Sequence, residues 1–350
     1  MKIERIGESR LPKTNLSDVG FGKTFTDHML FCRFSDGKWE EPIIQPFQDI
    51  VLSPAAQVFH YGQSIFEGMK AYKDDNDNTF LFRPNKNLDR FNQSARRMAM
   101  PEIPEAIFLD GIKELLRVDE AWVPKQDGTT LYIRPHMYAT EPIITARASN
   151  EYNFIIFCSV VNSYYTKPLS VKIETNYSRA ASGGIGFAKT GGNYAASFNP
   201  TMQAQNEAYD QLIWTDACTH EYIEEAGTMN VFFRIGDQLI TTPSSDTILN
   251  GVTRDSVIML AKDKGFDVNV RAISVNEVLQ ELKDNRLKEA FGVGTAVIVN
   301  HFKNIGYKGE DFSIPVPTRE EDSMGLTLKK ALTNIQLNKA ADPFGWREKV

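Results

Sequence analysis

The chain has 350 residues, 42% hydrophobic and 24% charged, with a net charge of −6 at pH 7. This is an ordinary soluble composition; the length favours two domains, and the mild acidity with scattered basic residues argues against a general nucleic-acid binder. Cys32, Cys158 and Cys218 form no metal-ligand pattern and point to a reducing compartment, the cytoplasm by default; with apolar runs no longer than strands and an N-terminus that shows no apolar segment, neither a membrane span nor a secretory signal is expected.

In chain order, residues 28–46 read as a hairpin turning at Asp36-Gly37, and 68–84 as a second hairpin turning within 74–78. Asn85 is the expected cap of a helix to Met98, with Leu88, Phe91, Ala95 and Met98 on one face. A second helix is expected over 107–118, then strands over 131–140 and 152–161. Residues 162–171 read as a linker between a domain of residues 1–161 and one of residues 172–350. The second domain is expected to hold a helix over 194–207, a strand over 211–215 and a strand-rich run over 221–243. After these come a helix opened by Gly251-Val252-Thr253-Arg254, a strand over 266–270 and a short helix over 275–281. A strand over 290–300, broken by Gly292 and Gly294, and a last helix over 323–337 complete the set. The fold class is α/β.

The densest chemical signal is Gly183-Gly184-Ile185-Gly186-Phe187-Ala188-Lys189-Thr190-Gly191-Gly192-Asn193-Tyr194. Glycines around a lysine are most often a solvated turn. Packed this densely they also suit an amine presented to a bulky planar partner, as a lysine nucleophile toward a carbonyl requires. A phosphate loop fits poorly, since Ala188 stands before Lys189, and Ser17 stands where a loop ending Gly22-Lys23-Thr24 needs its first glycine. Gly292-Val293-Gly294 continues as Thr295-Ala296-Val297, so the dinucleotide pattern lacks its third glycine.

Pyridoxal phosphate asks for a lysine, an acid for the pyridine nitrogen, a phosphate cradle and a partner for the ring hydroxyl. Lys189 is the first candidate and Tyr194 the last, although a tyrosine heading a helix is usually packing. Glu224 and Glu225 stand before the turn at Gly227, where an acid is usually solvated. Gly251-Val252-Thr253 offers free N–H groups and a helix dipole to an anion; otherwise it is a plain cap. Gly294-Thr295 adds a hydroxyl and an N–H. Arg90 can supply counter-charge, unless it lies on the solvated side of its helix.

Together these residues resemble the branched-chain aminotransferases of the fold-type IV pyridoxal-phosphate enzymes. The resemblance runs from residue 21 to about residue 330. It is carried by Phe66-Glu67-Gly68-Met69-Lys70-Ala71, Leu81-Phe82-Arg83-Pro84, Leu131-Tyr132-Ile133-Arg134-Pro135, Lys189-Thr190-Gly191-Gly192-Asn193-Tyr194 and Glu225-Ala226-Gly227-Thr228-Met229-Asn230. It implies a smaller α/β sandwich domain and a larger mixed α/β pseudo-barrel domain carrying the lysine, with the cofactor where they meet.

The same resemblance implies the roles. Lys189 carries pyridoxal 5′-phosphate as a Schiff base and moves the proton. Glu225 pairs with the pyridine nitrogen and Tyr194 with the ring hydroxyl. Arg90, the N–H groups of Val252 and Thr253, and Thr295 hold the phosphate. Phe21, Tyr61, Phe66, Tyr132 and Tyr164 line the side-chain pocket. Thr228 and Ala296 meet the substrate carboxylate, and Arg134 meets the distal carboxylate of glutamate, directly or through a tyrosine hydroxyl. The implied reaction is reversible amino transfer between leucine, isoleucine or valine and 2-oxoglutarate, without a metal, in a homodimer or higher assembly. D-amino-acid aminotransferases and aminodeoxychorismate lyases share the lysine and glutamate chemistry, but generally lack the long N-terminal block seen here. A scaffold that binds the cofactor without turnover is the non-enzymatic alternative. Some animal members carry a C-x-x-C redox pair where this chain has Val297 and Asn300, so thiol regulation of that kind is not expected.

Overall fold

Alternation along the N-terminal strands sends apolar side chains to one face of a sheet and polar or aromatic ones to the other. The computed structural model describes residues 1–16, 19–126, 128–162, 165 and 167–350. They fall into two units, one of Met1–Tyr164, Ala188–Gly192 and Ile335–Val350, the other of Tyr165–Phe187 and Asn193–Asn334. The sequence division gave 172–350, Lys189 included, to the second domain. By contact, the lysine segment and the C-terminal strand return to the first unit and make it slightly the longer.

The described residues of the first unit form a sheet of ten strands. Its centre is Thr24–Ser35, Tyr152–Val161, Thr130–Ala139 and Met69–Lys73, all paired antiparallel. Both expected hairpins are present. Asp36 and Gly37 take φ of 51° and 74°, the left-handed pair that matches strand twist in a two-residue turn. Leu30, Met69, Ala71, Leu131, Ile133, Phe154 and Ile156 are buried on one face, in one core with the helix Pro84–Arg97 through Leu88, Phe91 and Ala95. Each of these side chains other than the alanines contributes about 1.5–3 kcal/mol. That helix starts one residue before the expected cap. Arg83, at φ 50°, is the capping residue, and Pro84 follows with its ring already set for a first helical position. The helix expected over 107–118 begins as a π turn, Ala106–Asp110, and is regular over Gly111–Val118.

The second unit carries a sheet of nine strands. Six of them, Ile223–Ala226, Gln211–Thr215, Leu169–Ile173, Ile298–Tyr307, Leu287–Gly294 and Met229–Ile235, pair in that order, and the last pairs back to the first. The ring closes as a small barrel, so these strands have no free edge. Val171, Ile213, Val231, Phe233, Phe302 and Ile305 are buried in its core. The barrel strand Leu169–Ile173 takes up the last three residues of the expected linker, 162–171, and runs two residues beyond it; Ser163, Tyr164 and Thr166 of that linker lie outside the described residues. The broken strand expected over 290–300 is instead a hairpin, Leu287–Gly294 with Ile298–Tyr307, turning through Thr295, Ala296 and Val297. The helix expected from Tyr194 starts at Gly191.

Candidate active site

In the first unit the site begins where the strand Ser64–Phe66 pairs with Tyr138–His136. Ile65 goes into the core, so alternation turns Ser64 and Phe66 to the opposite face. Thr190 forms a bridge with Ile65, and its hydroxyl donates to the Ser64 carbonyl at 2.7 Å. Phe66 N–H donates to the Lys189 carbonyl at 3.0 Å, and Lys189 N–H donates to Ser94 Oγ at 2.9 Å. The lysine backbone is thus held from both sides, by a strand and by a helix. Lys189 is half-buried, with Nζ 5.1 Å from the Phe66 ring centroid. A solvated glycine turn does not describe it.

The helix Pro84–Arg97 presents a second buried stripe beside its apolar one. Asn87, Arg90 and Ser94, at i, i+3 and i+7, lie on one side and are all buried. Arg90 Nε donates to Glu67 Oε1 at 2.6 Å and Nη2 to Glu67 Oε2 at 2.8 Å. Asn87 Nδ2 and Gly68 N–H also donate to Glu67 Oε2, at 2.8 and 3.0 Å. Arg90 is 7% exposed, so it does not lie on the solvated side of its helix. Burial pushes the Glu67 carboxyl up, but Arg90, then Lys189 and Asn87, outweigh it and hold it below the ordinary value.

Tyr132 and Arg134 stand on the strand Thr130–Ala139, two residues apart and so on one face, with Leu131 and Ile133 turned to the core. Phe21 packs edge-on against Tyr132 at 5.0 Å. Arg134 Cζ lies 4.5 Å from the Phe66 centroid and 5.4 Å from that of Tyr132, and its Nη2 donates to the Tyr132 hydroxyl at 3.2 Å. Among the described residues, Arg134 Nε is buried without a hydrogen-bond partner. A Cβ at Gly68 would collide with the Tyr132 hydroxyl, so only glycine lets the tyrosine lie there. His136, hydrogen-bonded to Ser64 Oγ at 3.0 Å, is held down to about 4 by burial and then by the Arg134 charge. Phe21, Phe66, Tyr132 and Arg134 therefore come together. Tyr61 is exposed, at the end of the short helix Gln57–Tyr61, with its hydroxyl donating to the Ile144 carbonyl. Tyr164 lies outside the described residues.

In the second unit Glu225 is 4% exposed on Ile223–Ala226. Its Oε1 accepts from Leu249 N–H at 2.8 Å and Asn230 Nδ2 at 3.2 Å, and its Oε2 lies 3.0 Å from Arg179 Nε. Glu224 is also buried; it accepts from the Thr247 hydroxyl at 2.6 Å, and burial pushes its carboxyl up. Neither acid is solvated. Gly251 precedes the helix Val252–Asp263, and among the described residues no side chain caps its first turn. A Cβ at Gly251 would meet Asn230 Oδ1, so the helix start is packed against the residue that also holds Glu225. Thr228 follows Gly227, whose φ of 59° makes the tight turn. Asn230 pairs with Val293, which brings Thr228 to the same barrel end as the hairpin turn holding the half-buried Thr295 and Ala296. Tyr194 is half-buried in the first turn of Gly191–Asn206.

Taken by itself, each unit holds groups that suit part of a phosphorylated pyridoxal. The first has a backbone-anchored amine and a buried guanidinium. The second has a helix start behind a glycine, without a side-chain cap among the described residues, and a buried carboxylate. Sequence reading missed Glu67, Asn87, Ser94 and Arg179. The polar stripe 87/90/94 on an otherwise amphipathic helix was the available signal for two of them.

Comparison with known proteins gives one consistent result. The family profile described as Amino-transferase class IV matches residues 64–303. The chain is 41% identical over 346 residues to branched-chain-amino-acid aminotransferase 2 of Bacillus subtilis (strain 168), covering 98% of this chain and 95% of that one. It is 41% identical over 352 residues to a probable branched-chain-amino-acid aminotransferase of Staphylococcus aureus (strain N315), covering 99% and 97%. In fold it is similar to the branched-chain aminotransferase from Thermoproteus uzoniensis solved with norvaline. That match has a TM-score of 0.75 and 22% identity, covering 92% of this chain and 99% of the other. It is similar also to the T.th. branched-chain amino acid aminotransferase complexed with N-(5′-phosphopyridoxyl)-L-glutamate. There the TM-score is 0.67 and the identity 24%, covering 91% and 97%.

Proposed function

The chain belongs to the class IV aminotransferases, with branched-chain-amino-acid aminotransferases as its relatives, and from that premise we propose that it moves the amino group reversibly between L-leucine, L-isoleucine or L-valine and 2-oxoglutarate. The single observation that carries the reading is the anchoring of Lys189 by Phe66 and Ser94, beside the buried Glu67–Arg90 pair. Pyridoxal 5′-phosphate, when bound, supplies an aldehyde for the amine and a ring that stabilises negative charge at the substrate α-carbon. The phosphopyridoxyl-glutamate ligand of the T.th. relative supports that cofactor.

This chain's residues then have distinct work. Lys189 Nζ carries the cofactor and moves the proton at the α-carbon. Arg90, the N–H groups of Val252 and Thr253, and Thr295 hold the phosphate. Glu225, ion-paired to Arg179, keeps a carboxylate ready for the pyridine nitrogen, and Tyr194 serves the ring hydroxyl. Phe21, Phe66 and Tyr132 give an apolar wall that a branched side chain fills; Tyr61 and Tyr164 are assigned to the same wall. Thr228 and Ala296 receive the α-carboxylate. Tyr132, hydrogen-bonded to Arg134, offers a polar edge to the γ-carboxylate of glutamate without turning the full charge to the aliphatic side. One methylene is worth only ~1–3 kcal/mol in such a pocket, so the three aliphatic substrates are not sharply separated.

Mixing purified protein, cofactor, L-leucine and 2-oxoglutarate tests the reading. It predicts equal amounts of glutamate and 4-methyl-2-oxopentanoate, lost in Lys189→Ala. Turnover of D-alanine without L-leucine would favour a different class IV activity. A homodimer and a cytoplasmic location belong to the same reading; light scattering tests the first.

A further inference from the structure

Glu67 is the least exposed ionisable group near Lys189, at 0%, and no step above uses it. Among the described residues its two oxygens accept from four donors. Oε1 takes Arg90 Nε; Oε2 takes Arg90 Nη2, Asn87 Nδ2 and Gly68 N–H. A buried pair of this kind is poor evidence for stability, because desolvating two charges offsets most of their attraction and an apolar pair of similar volume does as well. The pair does fix a direction. A bidentate fork holds the guanidinium in one plane. The backbone of the same dipeptide holds the lysine, since Phe66 N–H donates to the Lys189 carbonyl.

We infer that Glu67 is a positioning residue for phosphate recognition: it acts through Arg90, setting the guanidinium plane before the cofactor arrives. The inference rests on the proposed reading that Arg90 receives the cofactor phosphate. Glutamine is the informative replacement. Its amide NH2 cannot face the three donors at Oε2, so it must turn toward Arg90 Nε. Whichever way the amide turns, one arm of the fork is broken and the guanidinium loses its buried counter-charge.

The test uses cofactor-free protein and calorimetry with two ligands, pyridoxamine 5′-phosphate and pyridoxamine, neither of which needs turnover to be read. Glu67→Gln is expected to bind the phosphorylated ligand roughly tenfold or more weakly, while pyridoxamine binding stays within about twofold. The double variant Glu67→Gln/Arg90→Gln should be no weaker than Arg90→Gln alone, since Glu67 acts through Arg90. Equal losses for both ligands, or an unchanged affinity for the phosphorylated one, overturn the inference. If Arg90→Gln leaves the preference for the phosphorylated ligand intact, the phosphate role of Arg90 fails instead. Should Glu67→Gln not fold, Asn87→Ala removes one Oε2 donor and keeps the charge; a smaller loss confined to the phosphorylated ligand is then expected, and a loss common to both ligands again overturns the inference.

Discussion

Arg134→Gln separates the two half-reactions. The guanidinium stacks on Phe66 and Tyr132, at 4.5 and 5.4 Å, and donates to the Tyr132 hydroxyl at 3.2 Å. Losing two cation–π contacts costs about 1–2 kcal/mol of stability and is felt whichever substrate is bound. Losing the charge behind the Tyr132 hydroxyl is felt only where a γ-carboxylate lies against it. A hydrogen bond to a charged group is worth about 1.5–3 kcal/mol, so the glutamate half-reaction should slow by a further factor of roughly 10–100. Each half-reaction is measured alone as a single turnover. Stopped-flow absorbance follows the cofactor-loaded enzyme with L-glutamate and then, separately, with L-leucine. Melting temperature reports the shared structural loss. The reasoning is refuted if both half-reactions slow by the same factor, for Arg134 would then only brace the two rings.

Glu225→Gln should slow α-proton transfer, read as the single-turnover rate with L-leucine, while Glu224→Gln should not; the opposite pattern would exchange the two acids. Glu289 takes hydrogen bonds from His301, the Ser323 hydroxyl and Arg234 and from the N–H groups of Met324 and Gly325, which open the helix Met324–Gln336; burial pushes its carboxyl up, yet His301, then Ser323, Arg234 and Met324 bring it down to about 2. Its stabilisation is therefore full above the ordinary carboxylate value and lost as pH falls toward 2. Glu289→Gln should cost about 3 kcal/mol in urea unfolding at pH 7, and a cost below about 0.5 kcal/mol would mean that the cluster is screened by water. His136, brought down to about 4, should show a neutral ring by NMR at pH 5.5, with stability lost as pH falls from the ordinary histidine value toward 4; a titration midpoint near the ordinary value would contradict its burial beside Arg134.

What was legible in the sequence was local. The Asp36-Gly37 turn, the strand-length apolar run within 152–161 and the apolar stripe of Leu88, Phe91 and Ala95 each depend on residues a few positions apart. What escaped was set by distant partners. Leu169–Ile173 is a strand because it pairs in parallel with both Gln211–Thr215 and Ile298–Tyr307, neither of them near it in the chain. Arg347–Lys349 is one because it pairs with Thr79–Phe82. The turn at Thr295–Val297 was hidden because Ile298, a β-branched residue, takes a φ of 63° that its type seldom adopts. At the site, Lys189 and Glu225 carried signatures in their own neighbourhoods. Glu67 stood inside a motif already singled out, but an acid after a short strand reads as solvated until Arg90 and Asn87, on a helix some twenty residues later, turn out to enclose it.

The central claim is that Lys189 bears the cofactor. Borohydride reduction of the cofactor-loaded protein, followed by peptide mapping, tests it without any assay of turnover. The account predicts one pyridoxyl group, on the peptide containing Lys189, and none when L-leucine has first discharged the cofactor from the lysine. A label on Lys23 or Lys70, or a label on Lys189 that L-leucine does not remove, would contradict it.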